Sequence, residues 1–150
     1  MTSNPTVLGY LGRALSFEFS AVQQYLALAR LFEMRGMQDA AKRFKNESQE
    51  ELEHAERIIN RMIALGVAPN ASCLRPTKLG GSLVDLMQHA AQLEHEIVAL
   101  YSQAVRFCIE TQDHENRIFF EGLLKEEQHH AAEIESWRNQ IIAGQNKAFS

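Results

Sequence analysis

Proline stands at only three positions, Pro5, Pro69 and Pro76. A proline inside a helix removes a hydrogen bond and collides with the preceding turn, so its placement decides where long helices can run. Asn4-Pro5 reads as an N-cap followed by proline in the first turn, with Gly36 as the stop. Between them Leu8, Leu11, Leu15, Val22, Tyr25, Ala29 and Phe32 recur at three- and four-residue steps. Asp39 can cap a second helix ending near Gly66, with Phe44, Ala55, Ile58, Met62 and Leu65 inward. The segment "GVAPNASCLRPTKLGG" then holds too much glycine and proline to be helical throughout. Ser82 with Asp85 predicts a capping box for a third helix, and Asp113 an N-cap for a fourth that runs to Gly144.

The expected helices are 5–35, 39–65, 83–110 and 114–143 within one domain, with a crossover over 66–82. Two short turns and one long central connection predict an all-α, ferritin-like four-helix bundle, two helix pairs joined by a long crossover. Helices of 25 to 30 residues are about 40 Å long at 1.5 Å per residue, longer than the globular average.

Within that frame "KEEQHH", residues 125–130, holds two overlapping Glu-x-x-His pairs: Glu126 with His129, and Glu127 with His130. Laying the second half over the first at an offset of 76 puts Glu18 on Glu94, Glu51 on Glu127 and His54 on His130. The same offset matches Tyr25 with Tyr101, Arg30 with Arg106, Phe44 with Phe120, Ala55 with Ala131 and Ile58 with Ile134. A duplicated helix pair with pseudo-twofold symmetry accounts for these matches. The repeat selects Glu127 and His130, which share a stripe with Phe120, Leu123, Leu124, Ala131 and Ile134; Glu126 and His129 are expected in solvent.

Glu18, Glu51 with His54, and Glu94 also fall on apolar stripes. A lone glutamate there would cost several kcal/mol if buried ionised and unpaired. Four converging are tolerable with a compensating cation. Four carboxylates and two imidazoles suit a pair of divalent first-row metals, since carboxylates can bridge and four negative charges balance two dications. One Glu from each of two helices and Glu-x-x-His from each of the other two is the donor pattern of di-iron carboxylate bundles.

The segments "LSFEFSAVQQYLALAR", "ESQEELEHAE", "QLEHE" and "LLKEEQHH" resemble, in order and spacing, the four ligand-bearing segments of the bacterioferritins, and the resemblance covers nearly the whole chain. It implies Glu18 and His54 on one iron, Glu94 and His130 on the other, Glu51 and Glu127 bridging, and Tyr25 as a hydrogen-bonding neighbour. It further implies a ferroxidase that oxidises ferrous iron with O2 or H2O2 and stores ferric mineral in a hollow homo-oligomer of 24 chains built from dimers. Two departures stand out. Bacterioferritins hold haem between paired subunits through a methionine whose counterpart here is Leu52, which cannot ligate iron, so haem is not expected unless a haem-bearing paralogue joins the assembly. After Gly144 only "QNKAFS" remains where the family has a short fifth helix.

Competing readings are a rubrerythrin-like di-iron oxidase or peroxidase that stores nothing, and a metal-free scaffold in which the acids pair with His, Arg30 or Arg106. The first usually carries Cys-x-x-Cys pairs, absent here, and the second leaves four inward acids unexplained. Fifteen Lys+Arg against 19 Asp+Glu give no basic patch for nucleic acid. No apolar run approaches the roughly 18 residues of a membrane span. The N-terminus shows no signal-peptide pattern, and Cys73 and Cys108 read as reduced thiols, so a cytoplasmic location is expected. His89 and His114 sit four residues after Asp85 and Glu110, an ion-pair spacing; His95 is expected at a rim and Trp137 in core or subunit packing. Asn46, Glu47 and Glu50 read as a solvated face or a guide for iron, and Tyr101 as either a core aromatic or a partner for a carboxylate.

Overall fold

A computed structural model describes residues 4–144. The "QNKAFS" segment and its bearing on a fifth helix lie outside the described residues. The helices are α1 (Pro5–Met34), α2 (Gln38–Ala64), α3 (Leu83–Glu110) and α4 (His114–Ile142). α1 packs chiefly on α2 and α3 on α4, and the two pairs meet most closely between α1 and α3. The fold class expected from the sequence is the one found.

Helix ends follow local chemistry, with one correction. Asn4 accepts the Thr6 N–H, and Asp113 accepts that of Asn116. Ser82 and Asp85 form a reciprocal capping box at the start of α3. Asp39 does not cap α2: the helix begins one residue earlier, Met37 occupies the cap without a side-chain bond, and Asp39 stands in the first turn, where its charge favours the helix dipole. α1 and α2 end in the same left-handed turn. Gly36 and Gly66 have φ of 78° and 80°, and the next N–H reaches back to Phe32 and Met62 respectively.

The crossover is strapped to α1 by three buried polar residues one turn apart. Ser16 Oγ accepts the Cys73 N–H at 3.2 Å, and Ser20 Oγ accepts the Arg75 N–H at 2.9 Å. Gln24 both donates to the Lys78 carbonyl and accepts its N–H, each at 2.8 Å. As α1 advances from 16 to 24 the crossover advances from 73 to 78, so the strap climbs parallel to α1. α3 therefore starts at the far end and runs antiparallel to α1, with Tyr10 against Phe107 and Tyr25 against Glu94.

This strap changes the inward face of α1. Leu8 and Val22 are only partly buried, while Val7, Ala14, Ala21 and Leu28 are buried, because the covered arc extends under the crossover. Near one end of the core Phe44 of α2 meets Tyr25 at 5.7 Å, Phe32 at 5.6 Å and Trp137 at 5.8 Å between ring centroids. Phe44 thus joins α1, α2 and α4 and fixes the ring of Tyr25. Phe44→Ala should lower unfolding stability by about 3–5 kcal/mol, read from denaturant midpoints of the metal-free protein.

Candidate metal centre

Midway along the bundle the apolar stripes give way to acids. Glu18, Glu51, Glu94 and Glu127 are all completely buried, and His54 and His130 nearly so. Each helix contributes as the sequence suggests: Glu18 from α1, Glu94 from α3, and a Glu-x-x-His pair from each of α2 and α4. One helical turn separates Glu and His within each pair, so both point inward.

The six residues form two overlapping quartets whose donor atoms lie within 4.8 Å of one another: Glu18, Glu51, His54 and Glu127, and Glu51, Glu94, Glu127 and His130. Glu51 and Glu127 belong to both. His54 Nδ1 is 2.6 Å from Glu127, 2.8 Å from Glu18 and 3.4 Å from Glu51. His130 Nδ1 is 2.9 Å from Glu51 and 3.8 Å from Glu127. The two imidazoles stack nearly parallel, 5.6 Å apart. Tyr25 donates its hydroxyl proton to Glu94 Oε1 at 2.6 Å.

Electrostatics show what holds this cluster together without a cation. Burial raises Glu18 to about 8, the Glu127 charge adding to the effect against the pull of His54. Burial likewise keeps Glu51 and Glu94 well above the usual carboxylate range, with neighbouring carboxylates adding to it. Glu127 goes the other way: burial opposes its charge, yet Glu94, His130 and His54, crowded against it, together hold it well below that range. Burial also opposes protonation of the imidazoles, but the carboxylates outweigh it, Glu127 foremost, and bring His54 to about 10 and His130 to about 9. Near neutral pH protons do the work of a cation.

The donors fit metal better than they fit one another. Glu18 Oε1, both oxygens of Glu51, Glu94 Oε2, Glu127 Oε2 and His130 Nδ1 are buried without a hydrogen-bond partner. Buried polar atoms in such number are rare unless an ion belongs among them. The His54 Nδ1 proton serves Glu127 and leaves Glu18 Oε2 with proximity alone. Hard carboxylates with imidazole are a donor set for divalent first-row metals.

Three outer residues stand close to the imidazoles: Glu126, which the sequence places in solvent, and Glu47 and Glu50, which it leaves between a solvated face and a guide for iron. Glu126 is half exposed, as expected, but its carboxylate stands 3.6 Å from His54 Nε2 and is gripped by Arg57 at 2.8 Å. Glu50 pairs with His130 Nε2. Glu50 and Glu126 are themselves related by the offset of 76, so each imidazole has a carboxylate from the opposite helix behind it. Glu47 is buried rather than solvated, 3.6 Å from His130 Nδ1, and burial raises it to about 7. With Glu50 and His130 it forms a third group with metal-ligand spacing. The available signal was its position one turn before Glu51 on the stripe of Phe44.

The remaining candidates lie outside the cluster. His129 is exposed and pairs with Glu133, and His95 pairs with Glu135 at the surface. His89 meets the Gly80 carbonyl, because Asp85 is occupied by the capping box. Arg30 is exposed and pairs with Glu33 at the surface. Trp137 packs in the core against Phe44 and under Arg43.

A ferritin-like domain family matches residues 8–142. The bacterioferritin of Rhodobacter capsulatus is 32% identical over 136 residues, covering 91% of this chain and 84% of that one. That of Brucella melitensis is 30% identical over the same shares. The chain belongs to the bacterioferritins. The crystal structure of the Rhodobacter capsulatus protein, described with a metal-free dinuclear site and haem iron, superposes with a TM-score of 0.91 at 30% identity, over 99% of this chain and 93% of that one. Iron storage is the function this membership supports, and the buried cluster could hold a di-iron site. No described helix is long and apolar enough to cross a membrane.

The proton-filled cluster makes a prediction with a fixed sign. Glu18 ionises near 4.5 when unfolded and near 8 when folded, so its contribution is complete below 4.5 and lost as pH rises through about 8. His54 and His130 titrate near 6.5 when unfolded, and their contributions fade as pH rises through about 10 and 9. All three act alike. The unfolding midpoint of metal-free protein should fall between pH 6.5 and 9, while protein loaded with divalent metal should hold its midpoint over that window; thermal scans with and without metal check this.

Proposed function

We propose that this chain binds two ferrous ions per subunit at Glu18, Glu51, His54, Glu94, Glu127 and His130, oxidises them, and stores the ferric product. The observation that carries the reading is the pair of overlapping buried quartets sharing Glu51 and Glu127. In this assignment Glu18 and His54 hold one ion, Glu94 and His130 the other, and Glu51 with Glu127 bridges them. Bound iron supplies the redox couple: two ferrous ions yield two electrons, which together with two protons reduce one hydrogen peroxide to water, dioxygen being the alternative oxidant. The chain's part is geometry and charge. Four carboxylates neutralise two dications, and the stacked imidazoles give one nitrogen to each. Burial keeps water away except at the carboxylates that reach the surface, and Tyr25 orients Glu94. Glu47 and Glu50 prolong the acid lining beyond His130 toward solvent and offer a path for incoming or outgoing cations.

The same reading takes the subunit as part of a hollow homo-oligomeric shell, dimers assembling to 24 chains, in the cytoplasm. Haem is not expected from this chain, because Leu52 is half exposed on α2 and its aliphatic side chain gives no ligand; a methionine-bearing paralogue in a mixed shell would supply one.

Anaerobic titration of metal-free protein with ferrous iron, followed by oxygen or peroxide, tests the proposal beside Glu127→Ala. Saturation at two ions per chain and rapid ferric formation are expected. The variant should lose both by more than the roughly 10- to 100-fold typical of removing an outer partner. Unsaturable binding, or binding that Glu127→Ala keeps, would leave the chain a helical scaffold.

A further inference from the structure

The offset of 76 residues relates more than the charged groups. Tyr25 lies against Phe44, with ring centroids 5.7 Å apart at 51°. Its counterpart Tyr101 lies against Phe120, the counterpart of Phe44, at 6.3 Å and 40°. Both tyrosines are completely buried, one on α1 and one on α3. Tyr25 crosses from α1 to orient Glu94 on α3. The equivalent crossing takes Tyr101 from α3 to Glu18 on α1.

There the equivalence is incomplete. The Tyr101 hydroxyl is buried without a hydrogen-bond partner, and so is Glu18 Oε1. An unpaired buried hydroxyl carries its full desolvation cost, which phenylalanine would avoid, so packing alone does not explain a tyrosine here. The other oxygen of Glu18, Oε2, lies 2.8 Å from His54 Nδ1. The seam between α1 and α3 thus holds a buried donor without an acceptor, Tyr101, and a buried acceptor without a donor, Glu18 Oε1.

We infer that Tyr101 is the positioning residue for Glu18, its hydroxyl donating to that carboxylate once cations occupy the cluster, as the hydroxyl of Tyr25 does to Glu94. Each end of the dinuclear centre then has its own phenol, on opposite helices of the α1–α3 seam. The inference rests on the two-cation reading of the site and adds to it what orients the Glu18 ligand.

Cobalt(II) titrated anaerobically into metal-free protein is the probe, because its visible absorption reports the donors around each ion without turnover. Wild type should take two ions. Tyr101→Phe should keep or raise the unfolding midpoint of the metal-free protein, since an unpaired hydroxyl is removed. It should weaken the ion at Glu18 and His54 by about 10-fold or more and shift its absorption. Single-ion backgrounds assign the loss: it should persist in His130→Ala and vanish in His54→Ala, while Tyr25→Phe shows the reverse pattern. Two wild-type affinities with unchanged spectra in Tyr101→Phe overturn the inference and leave the two-cation reading standing. A lowered midpoint with equal loss at both ions also overturns it, since that marks a packing defect. Wild type that takes no cobalt removes the site reading, and the role of Tyr101 with it.

Discussion

Four carboxylates and two imidazoles removed from water are the constraint around which the bundle is arranged. Charge without compensation in such a place costs several kcal/mol per group, and mutual attraction recovers it only with close geometry. The chain meets that condition by surrounding the cluster with aromatic packing on both sides. Phe32, Phe44 and Trp137 close one end, and Tyr10, Phe107 and Phe120 the other. Helices of 27 to 30 residues allow this, with a charged middle and apolar layers to either side. A shorter bundle would have to choose between the site and its core.

Duplication explains how one set of rules builds both halves, and where the halves part explains what each can do. Glu50 and Glu126 stand behind the two imidazoles in equivalent positions. Arg57 neutralises Glu126, but the residue 76 further on is Glu133, and no arginine stands at the matching place beside Glu50. Glu47 has Leu123 as its counterpart. His54 therefore faces a compensated carboxylate and His130 an acidic cluster, so the two quartets share donors while sitting in different fields. Long side chains make this difference because α2 and α4 are joined across the bundle by Arg57–Glu126, Arg61–Glu115 and Glu50–His130 rather than by close backbone packing.

Sequence carried the architecture and the placing of all six inward groups, since both depend on periodicity within one helix. What it did not carry depends on register between helices. Glu126 could be placed on the rim of α4 from its stripe, but that it reaches His54 follows from how α2 lies beside α4. Glu47 read equally as part of a solvated face or as a guide for iron, and only the packing shows that its turn is covered. Ser16, Ser20 and Gln24 carry no sequence signal of their role, and only the path of the crossover shows them holding its backbone. Asp39 was a sound cap candidate by residue type, but the turn at Gly36 and Met37 set the helix start first.

Leu52 shows how separable the two faces of one helix are. It follows Glu51 directly, and one step along a helix turns a side chain by about 100°, so Glu51 is fully buried while Leu52 is 42% exposed. Leu26 of α1 is likewise exposed, at 47%. An aliphatic side chain at position 52 offers the outer face no metal donor and leaves every donor of the inner face untouched. Glu51 keeps its place between His54 and His130 because that place is set by the stripe through Phe44, Glu47, His54 and Ile58, on which Leu52 does not lie. The outer face of α2 can therefore lack a sulfur donor while the inner face carries the buried carboxylate–imidazole cluster, since neither face needs the other in order to form.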